Sequence, residues 1–110
     1  MGNSEKEHLT KPIIQEIIVR REAQFDVQEA FDYYEEKSKG LGLEFMRSMD
    51  AALQSVKRNP TSYQKIYKEP RRLLLRKFPY ALFYLVEETR VIVIAVLHQK
   101  RGELDWVRRS

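Results

Sequence analysis

The sequence predicts an α+β domain in which a helical hairpin covers one face of a small, mostly antiparallel sheet. Three observations favour this class. A segment near the N-terminus is rich in isoleucine and valine with a period-2 component, and apolar residues then recur at helical spacing in two segments. Two nearly continuous apolar runs follow. Helical segments followed by a run of strands indicate the order β-α-α-β-β-β.

The length and composition predict one folded domain. The chain has 110 residues, of which 43% are hydrophobic and 33% are charged, as in ordinary globular proteins. Residues 1–11 are polar and show no periodic pattern. We therefore expect a flexible tail over residues 1–11 and a single domain over residues 12–110.

The first strand and the first helix are predicted from a change of period. Residues 12–21 (PIIQEIIVRR) are rich in isoleucine and valine and have a period-2 component, which is typical of a strand. The apolar positions that follow recur at helical spacing: Val27, Ala30, Phe31 and Tyr34. This pattern predicts a helix from about Phe25 to Ser38, with Asp26 favourably placed near the positive end of the helix dipole.

A second helix is predicted directly after Gly40-Leu41-Gly42. Glycine after a helix supplies the left-handed backbone that a tight exit requires. The second helix should end near Arg58, because Pro60 disfavours helical backbone at Asn59. The two helices then form a hairpin, and the second presents one apolar stripe to the sheet: Phe45, Met49, Ala52 and Val56.

Three further strands are predicted in the second half of the chain. Residues 72–77 form the first, with Arg72 and Arg76 on the same face because strand side chains alternate. Residues 80–86 and 91–97 are apolar on both faces, which is typical of central strands. A turn over residues 87–90 joins them. We expect the face of the sheet opposite the helices to be open for binding.

Charge is distributed unevenly along the chain. The net charge is +4, but residues 22–50 carry eight acidic against three basic side chains, whereas residues 65–77 carry six basic side chains against one acidic. Such asymmetry predicts a positively charged surface that binds an anionic partner.

Several classes of chemistry are excluded. The chain has no cysteine, so it has no disulfide, thiolate metal site or cysteine nucleophile. Its two histidines, His8 and His98, have no zinc-site spacing, and it has no glycine-rich phosphate loop. We therefore expect no metal and no cofactor. No apolar run approaches the roughly 20 residues that span a bilayer, and residues 1–12 lack a signal-peptide pattern, so we expect a cytoplasmic protein without a membrane partner.

Several short motifs occur in an order that is found in one family. They are Ala30-Phe31-Asp32-Tyr33-Tyr34-Glu35, Gly40-Leu41-Gly42, Phe45, Asn59-Pro60, Arg72, Leu75-Arg76-Lys77-Phe78-Pro79-Tyr80, Tyr84, Val96-Leu97-His98, Arg101, Trp106 and Arg108. With these residues, the chain resembles the RelE/ParE superfamily of type II toxin–antitoxin toxins over about residues 17–109. The GLG, FPY and H-x-x-R motifs place it nearest to the ParE branch.

The resemblance implies a function and partners. Toxins of the ParE branch inhibit DNA gyrase, and toxins of the RelE branch cut mRNA on the ribosome without a metal. A cognate antitoxin neutralises both by wrapping its C-terminal segment around the toxin. The resemblance therefore implies a growth-arresting gyrase inhibitor. A ribosome-dependent mRNA endoribonuclease and a non-toxic basic interaction domain are the alternatives. A homodimer and a toxin–antitoxin hetero-oligomer both stay open.

Candidate site residues follow from the basic segments and from the resemblance. In a ribonuclease, Arg76 and Arg101 would contact phosphate and His98 would move a proton. Trp106 stands where the RelE branch carries an acid/base residue and cannot transfer a proton, which favours binding over catalysis. A plainer interpretation is that His98 hydrogen-bonds a backbone carbonyl. The residues predicted to bind the target or the antitoxin are Arg71, Arg72, Arg76, Lys77, Lys100, Arg101 and Arg108.

Overall fold

The order of secondary structure elements confirms the predicted class. The structure is a computed structural model that describes residues 13–63 and 70–101, with Arg101 described by its backbone alone. The predicted tail over residues 1–11 lies outside the described residues. The elements are β1 (Glu16–Val19), α1 (Arg21–Lys37), α2 (Leu41–Arg58), β2 (Arg71–Leu74), β3 (Tyr80–Glu87), β4 (Arg90–His98) and a 3₁₀ turn (Gln99–Arg101).

The four strands form one mixed sheet in the order β1-β4-β3-β2. β1 runs parallel to β4, whereas β3 is antiparallel to both of its neighbours. β1 and β2 are therefore the edge strands. Both helices pack on the same face of the sheet, α1 against β4 and α2 beside β2.

α1 begins earlier than the sequence pattern predicts. β1 ends at Val19 and α1 starts at Arg21. The strand is therefore shorter than predicted, and the helix begins four residues before the predicted start at Phe25. The acidic residue in the first turn of α1 is Glu22. The prediction that Asp26 lies near the positive end of the helix dipole is therefore wrong. Asp26 is instead buried, because its carboxylate accepts a hydrogen bond from the backbone of β4.

A carboxylate closes the hairpin between the helices. Gly40 has the left-handed backbone predicted for this turn, with φ of +91°. The N–H groups of Gly40 and Gly42 each donate a 2.9 Å hydrogen bond to Glu35. These two hydrogen bonds hold the pKa of Glu35 below its ordinary value of 4.5. A Cβ atom at Gly42 would lie 2.9 Å from Glu35 Oε1, so the helices approach here only because residue 42 is glycine.

The main core lies between the helices and the sheet. The four residues of the predicted α2 stripe are all buried, which confirms that prediction. Phe45 lies at the centre of an aromatic cluster, with ring centroids 5.7 Å from Tyr34, 5.3 Å from Phe78 and 5.2 Å from Tyr80. Edge-to-face and offset contacts of this kind add to the free energy gained from burial alone.

A β-bulge in β4 changes which side chains face the helices. Phe83 pairs with Ala95, but the next residue, Tyr84, pairs with Val93, so Ile94 is the extra residue. The face opposite the helices is therefore formed by Ala81, Phe83, Ile92, Ile94, Ala95 and Leu97. All six are buried, so the prediction of an open face is wrong at these positions. Leaving so many neighbouring apolar side chains in water would be unfavourable.

β2 is shorter than predicted. It ends at Leu74 instead of continuing to Lys77. Lys77 has a left-handed backbone, with φ of +72°, and the chain turns back so that Leu75 N–H donates to the carbonyl of Tyr80. A left-handed residue cannot continue a strand. Arg76 consequently lies beyond the strand and not on the face that Arg72 occupies.

Candidate functional site

A groove runs between α2 and the edge strand β2. Its volume is about 760 Å³. Its apolar and small side chains come from both elements: Ala51, Ala52, Ser55, Leu73 and Leu75. Its charged side chains are the basic residues Arg47, Arg58, Arg76 and Lys77 and the acidic residue Glu44. An apolar floor with a basic rim suits a partner segment in which apolar and acidic residues are mixed.

The free edge of β2 borders this groove. In an antiparallel pair, alternate residues direct their N–H and C=O groups to the neighbouring strand. Leu75 donates to Tyr80, and the register pairs Leu73 with Leu82, so positions 73 and 75 face β3. Arg72 and Leu74 therefore direct their backbone groups away from the sheet. An extended peptide could pair with this edge and enter the groove.

A second, smaller depression lies on the other side of β2. Its volume is about 250 Å³, and it is lined by Arg72, Leu74, Ala81, Phe83, Leu97, His98 and Gln99. Leu74 lines both depressions, so β2 separates them. The sequence pattern places Arg72 and Arg76 on a single surface. This is wrong, because β2 ends before Arg76 and leaves the two side chains in different depressions.

His98 is held by the backbone that follows it. Its Nδ1 atom accepts a 3.0 Å hydrogen bond from the N–H of Lys100, and its ring packs against the edge of Tyr80 with centroids 5.3 Å apart. The expected partner was a backbone carbonyl, and the structure shows a backbone N–H instead. The proton of the neutral ring must then be on Nε2, because Nδ1 is the acceptor.

Arg71 points away from the depression that Arg72 lines. Its guanidinium donates to the carbonyls of Thr61 at 3.2 Å and Tyr63 at 2.7 Å, and so holds the chain that follows α2. Tyr84 donates to the carbonyl of Pro60 at 2.8 Å in the same region. Burial raises the pKa of Tyr84 to about 12. No short motif predicts these contacts, because they join residues that lie 8 to 24 positions apart and belong to different elements.

The remaining predicted site residues are only partly described. Lys77 and Lys100 are exposed. The side chain of Arg101, together with Trp106 and Arg108, lies outside the described residues. Arg76 and His98, two of the three predicted catalytic residues, line different depressions and are not brought together. Within residues 13–63 and 70–101, no group of three potential metal ligands comes together and no helix is long and apolar enough to cross a membrane.

The family of the chain is decided by a match over most of its length. Residues 17–102 match the family model described as "ParE toxin of type II toxin-antitoxin system, parDE". The chain belongs to the ParE toxin family. The match includes both helices, β2 to β4 and the groove beside α2, so the ParE family pattern covers the whole described site.

A solved structure supports the ParE fold. The chain is similar to the structure titled "Chromosomal ParDE TA system from P. aeruginosa", with a TM-score of 0.68 and 12% sequence identity. The alignment covers 78% of this chain and 96% of that chain. At this identity the similarity establishes the shared ParE-like fold. A search of curated proteins found no match.

Proposed function

We propose that this ParE-family protein arrests growth by inhibiting DNA gyrase, and that its antitoxin neutralises it by occupying the groove between α2 and β2. The family match over residues 17–102 carries this proposal. Membership of a toxin–antitoxin family implies a cognate antitoxin. The resemblance of the GLG, FPY and H-x-x-R motifs to the ParE branch favours gyrase as the target.

The groove supports binding of an acidic and apolar antitoxin segment. Among the described residues, four cations and one carboxylate surround a floor of small and apolar side chains. The backbone groups of Arg72 and Leu74 face the adjacent free edge. A segment that adds one strand to β2 would satisfy those groups, and its acidic side chains would meet Arg47 or Arg58.

The arrangement of the site favours binding over RNA cleavage. Cleavage needs a base, an acid and a group that stabilises the phosphorane within reach of one phosphate. Arg76 and His98 lie on different sides of β2. Ribonuclease activity therefore remains the second candidate, and a fold without toxicity remains the third.

A supercoiling assay tests the gyrase proposal. Purified toxin is added to bacterial DNA gyrase and relaxed plasmid, and in parallel to ribosomes translating a defined mRNA. We expect supercoiling to be blocked, supercoiling to be restored by the purified antitoxin, and the mRNA to remain intact. Unaffected supercoiling together with cleaved mRNA would establish the ribonuclease alternative. Harmless expression without the antitoxin would support the third candidate.

Two neighbouring residues of α2 test the antitoxin site. Arg58 lines the groove, whereas its exposed neighbour Lys57 does not. Reversing the charge at Arg58 (Arg58→Glu) should weaken binding of the antitoxin, measured by calorimetry with the protein encoded by the adjacent gene. Lys57→Glu makes the same change in net charge and should leave the affinity nearly unchanged. Equal losses of antitoxin affinity for the two variants would indicate that the antitoxin does not bind in the groove.

A further inference from the structure

The smaller depression beside Arg72 collects hydrogen-bond donors from three elements. Arg72 belongs to β2, His98 ends β4, and Gln99 begins the 3₁₀ turn. None of the described residues that line the depression carries a carboxylate. The depression therefore differs in chemistry from the groove beside α2, which includes Glu44.

Arg72 is a half-buried cation without an ion-pair partner in the part of the chain that the structure describes. An ion pair between other described residues joins Arg90 to Glu87, with 3.1 Å between Nη2 and Oε1, and does not involve Arg72. Removing a guanidinium from water is unfavourable unless an anion or other acceptor compensates. Its planar fork of donors suits carboxylate and phosphate groups. The depression thus contains a charge that a bound anion would stabilise.

His98 adds a donor whose position is fixed by the backbone. Because Nδ1 accepts the hydrogen bond from Lys100, the free donor of the neutral ring is the N–H at Nε2. The contact with the ring of Tyr80 restricts the orientation of the imidazole. A donor held in this way loses little conformational entropy when it binds a ligand.

The floor of the depression is apolar and almost inaccessible to water. Phe83 is 4% exposed, Leu97 3% and Ala81 2%. Hydrogen bonds to a charged group strengthen when water and its high dielectric constant are excluded nearby. The volume of about 250 Å³ lies just below the usual range for a ligand pocket, so it suits one small group and not a large molecule.

We propose that Arg72, His98 and Gln99 bind a single phosphoryl group, carried by a free phosphate, a nucleotide or a nucleic acid strand. A free phosphate or the terminal phosphate of a nucleotide offers three oxygens to these donors, and the phosphodiester of a strand offers two. In each case the oxygens are arranged tetrahedrally and can meet donors from different directions, whereas the two oxygens of a carboxylate lie in one plane with its carbon. This phosphate site lies across β2 from the proposed antitoxin groove. It does not depend on gyrase being the target of the toxin.

Titration of the purified full-length chain tests the phosphate site. Inorganic phosphate, adenosine 5′-monophosphate, a short single-stranded oligonucleotide and acetate are added at constant ionic strength, and binding is followed by backbone amide chemical shifts. We expect phosphate and the nucleotide to shift the amides of residues 72, 98 and 99, with acetate binding much more weakly. If the oligonucleotide binds more tightly than inorganic phosphate, the phosphoryl group is supplied by a nucleic acid strand. If the two bind with equal affinity, it is supplied by free phosphate.

Two arginines on opposite sides of β2 supply the matched control. Arg72→Gln should weaken phosphate binding by about ten-fold or more, which corresponds to about 1.4 kcal/mol. Arg76→Gln removes the same charge from the other side of the strand and should change the affinity by about two-fold or less. Thermal unfolding of both variants should give melting temperatures close to that of the wild type and so exclude loss of the fold as the cause.

Variants of His98 give an independent measurement. His98→Gln keeps a side-chain N–H donor and should retain more phosphate affinity than His98→Ala. Equal weakening by Arg72→Gln and Arg76→Gln would overturn the proposal, because it would indicate diffuse attraction to a basic surface. Equal binding of acetate and phosphate would also overturn it and would identify a carboxylate site for a peptide.

Discussion

The carboxylate of Asp26 accepts a 3.0 Å hydrogen bond from the backbone N–H of Val96, a residue 70 positions further along the chain. β1 ends opposite Val93, so the following residues of β4 have no strand beside them on that side. The carboxylate of Asp26 accepts the hydrogen bond that a carbonyl of a longer β1 would otherwise accept. It thereby satisfies the backbone N–H group of Val96, which is buried. A side chain of α1 thus completes the edge of the sheet beside the bulge.

Replacing Asp26 with alanine should destabilise the domain. Asp26→Ala leaves the N–H of Val96 without this acceptor, and we expect the free energy of unfolding to fall by roughly 2–3 kcal/mol, measured by urea denaturation. Asp32→Ala is the control, because Asp32 is exposed on the same helix and accepts only from Gln28. Equal losses for the two variants would contradict a special role for Asp26.

Acid should weaken the contact between the helices. The pKa of Glu35 is lowered by its hydrogen bonds with Gly40 and Gly42, so its contribution to stability is present above its ordinary value of 4.5 and is lost as the pH falls below it. We expect Glu35→Gln to lower the melting temperature at neutral pH and to reduce the loss of stability on acidification. Glu36→Gln, at the exposed neighbouring position, should not change the acid response. Identical pH curves for wild type and Glu35→Gln would exclude the contact as the cause.

Strong alkali should weaken the domain through Tyr84. Its pKa is raised from 10.0 to about 12, so the folded state holds the phenolic proton more tightly than the unfolded chain. The stability that this provides is complete below pH 10.0 and is lost as the pH rises towards 12. Tyr84→Phe should cost roughly 1–2 kcal/mol at neutral pH, because the buried carbonyl of Pro60 loses its donor. Between pH 10.0 and about 12 the Tyr84→Phe variant should also lose less stability than the wild type. The exposed control Tyr33→Phe should behave like the wild type.

Phe45 should be the most costly residue of the α2 stripe to truncate. It is 0% exposed and contacts three other aromatic rings. We expect Phe45→Ala to lower the free energy of unfolding by roughly 3–5 kcal/mol, as for other buried phenylalanines. The adjacent Met46 is 38% exposed, so Met46→Ala should cost much less. Similar melting temperatures for the two variants would contradict the assigned packing.

Arg76 should contribute to toxicity without contributing to folding. Its guanidinium lines the groove, and its backbone carbonyl, which a substitution does not remove, accepts a 2.8 Å hydrogen bond from Ser48. We expect Arg76→Ala to reduce killing in a growth assay at equal soluble expression, with an unchanged melting temperature. Arg21→Ala, on the exposed start of α1, should kill normally. Full toxicity of Arg76→Ala would show that Arg76 does not contribute to binding of the target.

Periodic patterns predict the helices and the central strands well, because they depend on the chain's own neighbouring residues. The stripe of α2, the turn at Gly40 and the two long strands are all found where the sequence indicates. The faces of β4 could not be assigned in this way. The residues of β4 are apolar on both faces of the sheet, so the pattern of apolar and polar residues does not indicate the bulge at Ile94.

The candidate site was predicted less well, for reasons that lie in non-local geometry. β2 ends at Leu74 and the chain turns back with a left-handed residue at Lys77, so Arg76 lies in the turn, away from Arg72. The alternation of side chains along a strand, applied to the sequence, places the two arginines together. Arg71 and Arg72 are adjacent and equally basic. Only the positions of the Thr61 and Tyr63 carbonyls show that the guanidinium of Arg71 holds the chain that follows α2.

The separation of charge between α1 and β2 has a consequence for the approach of a partner. α1 carries six carboxylates against two cations, whereas β2 and the loop that follows it carry only cations. This separation should contribute to an electric dipole, and the field of a polyanion should then favour orientations in which the basic segment faces it. Association should then be fastest in dilute buffer and should slow as added salt shortens the Debye length.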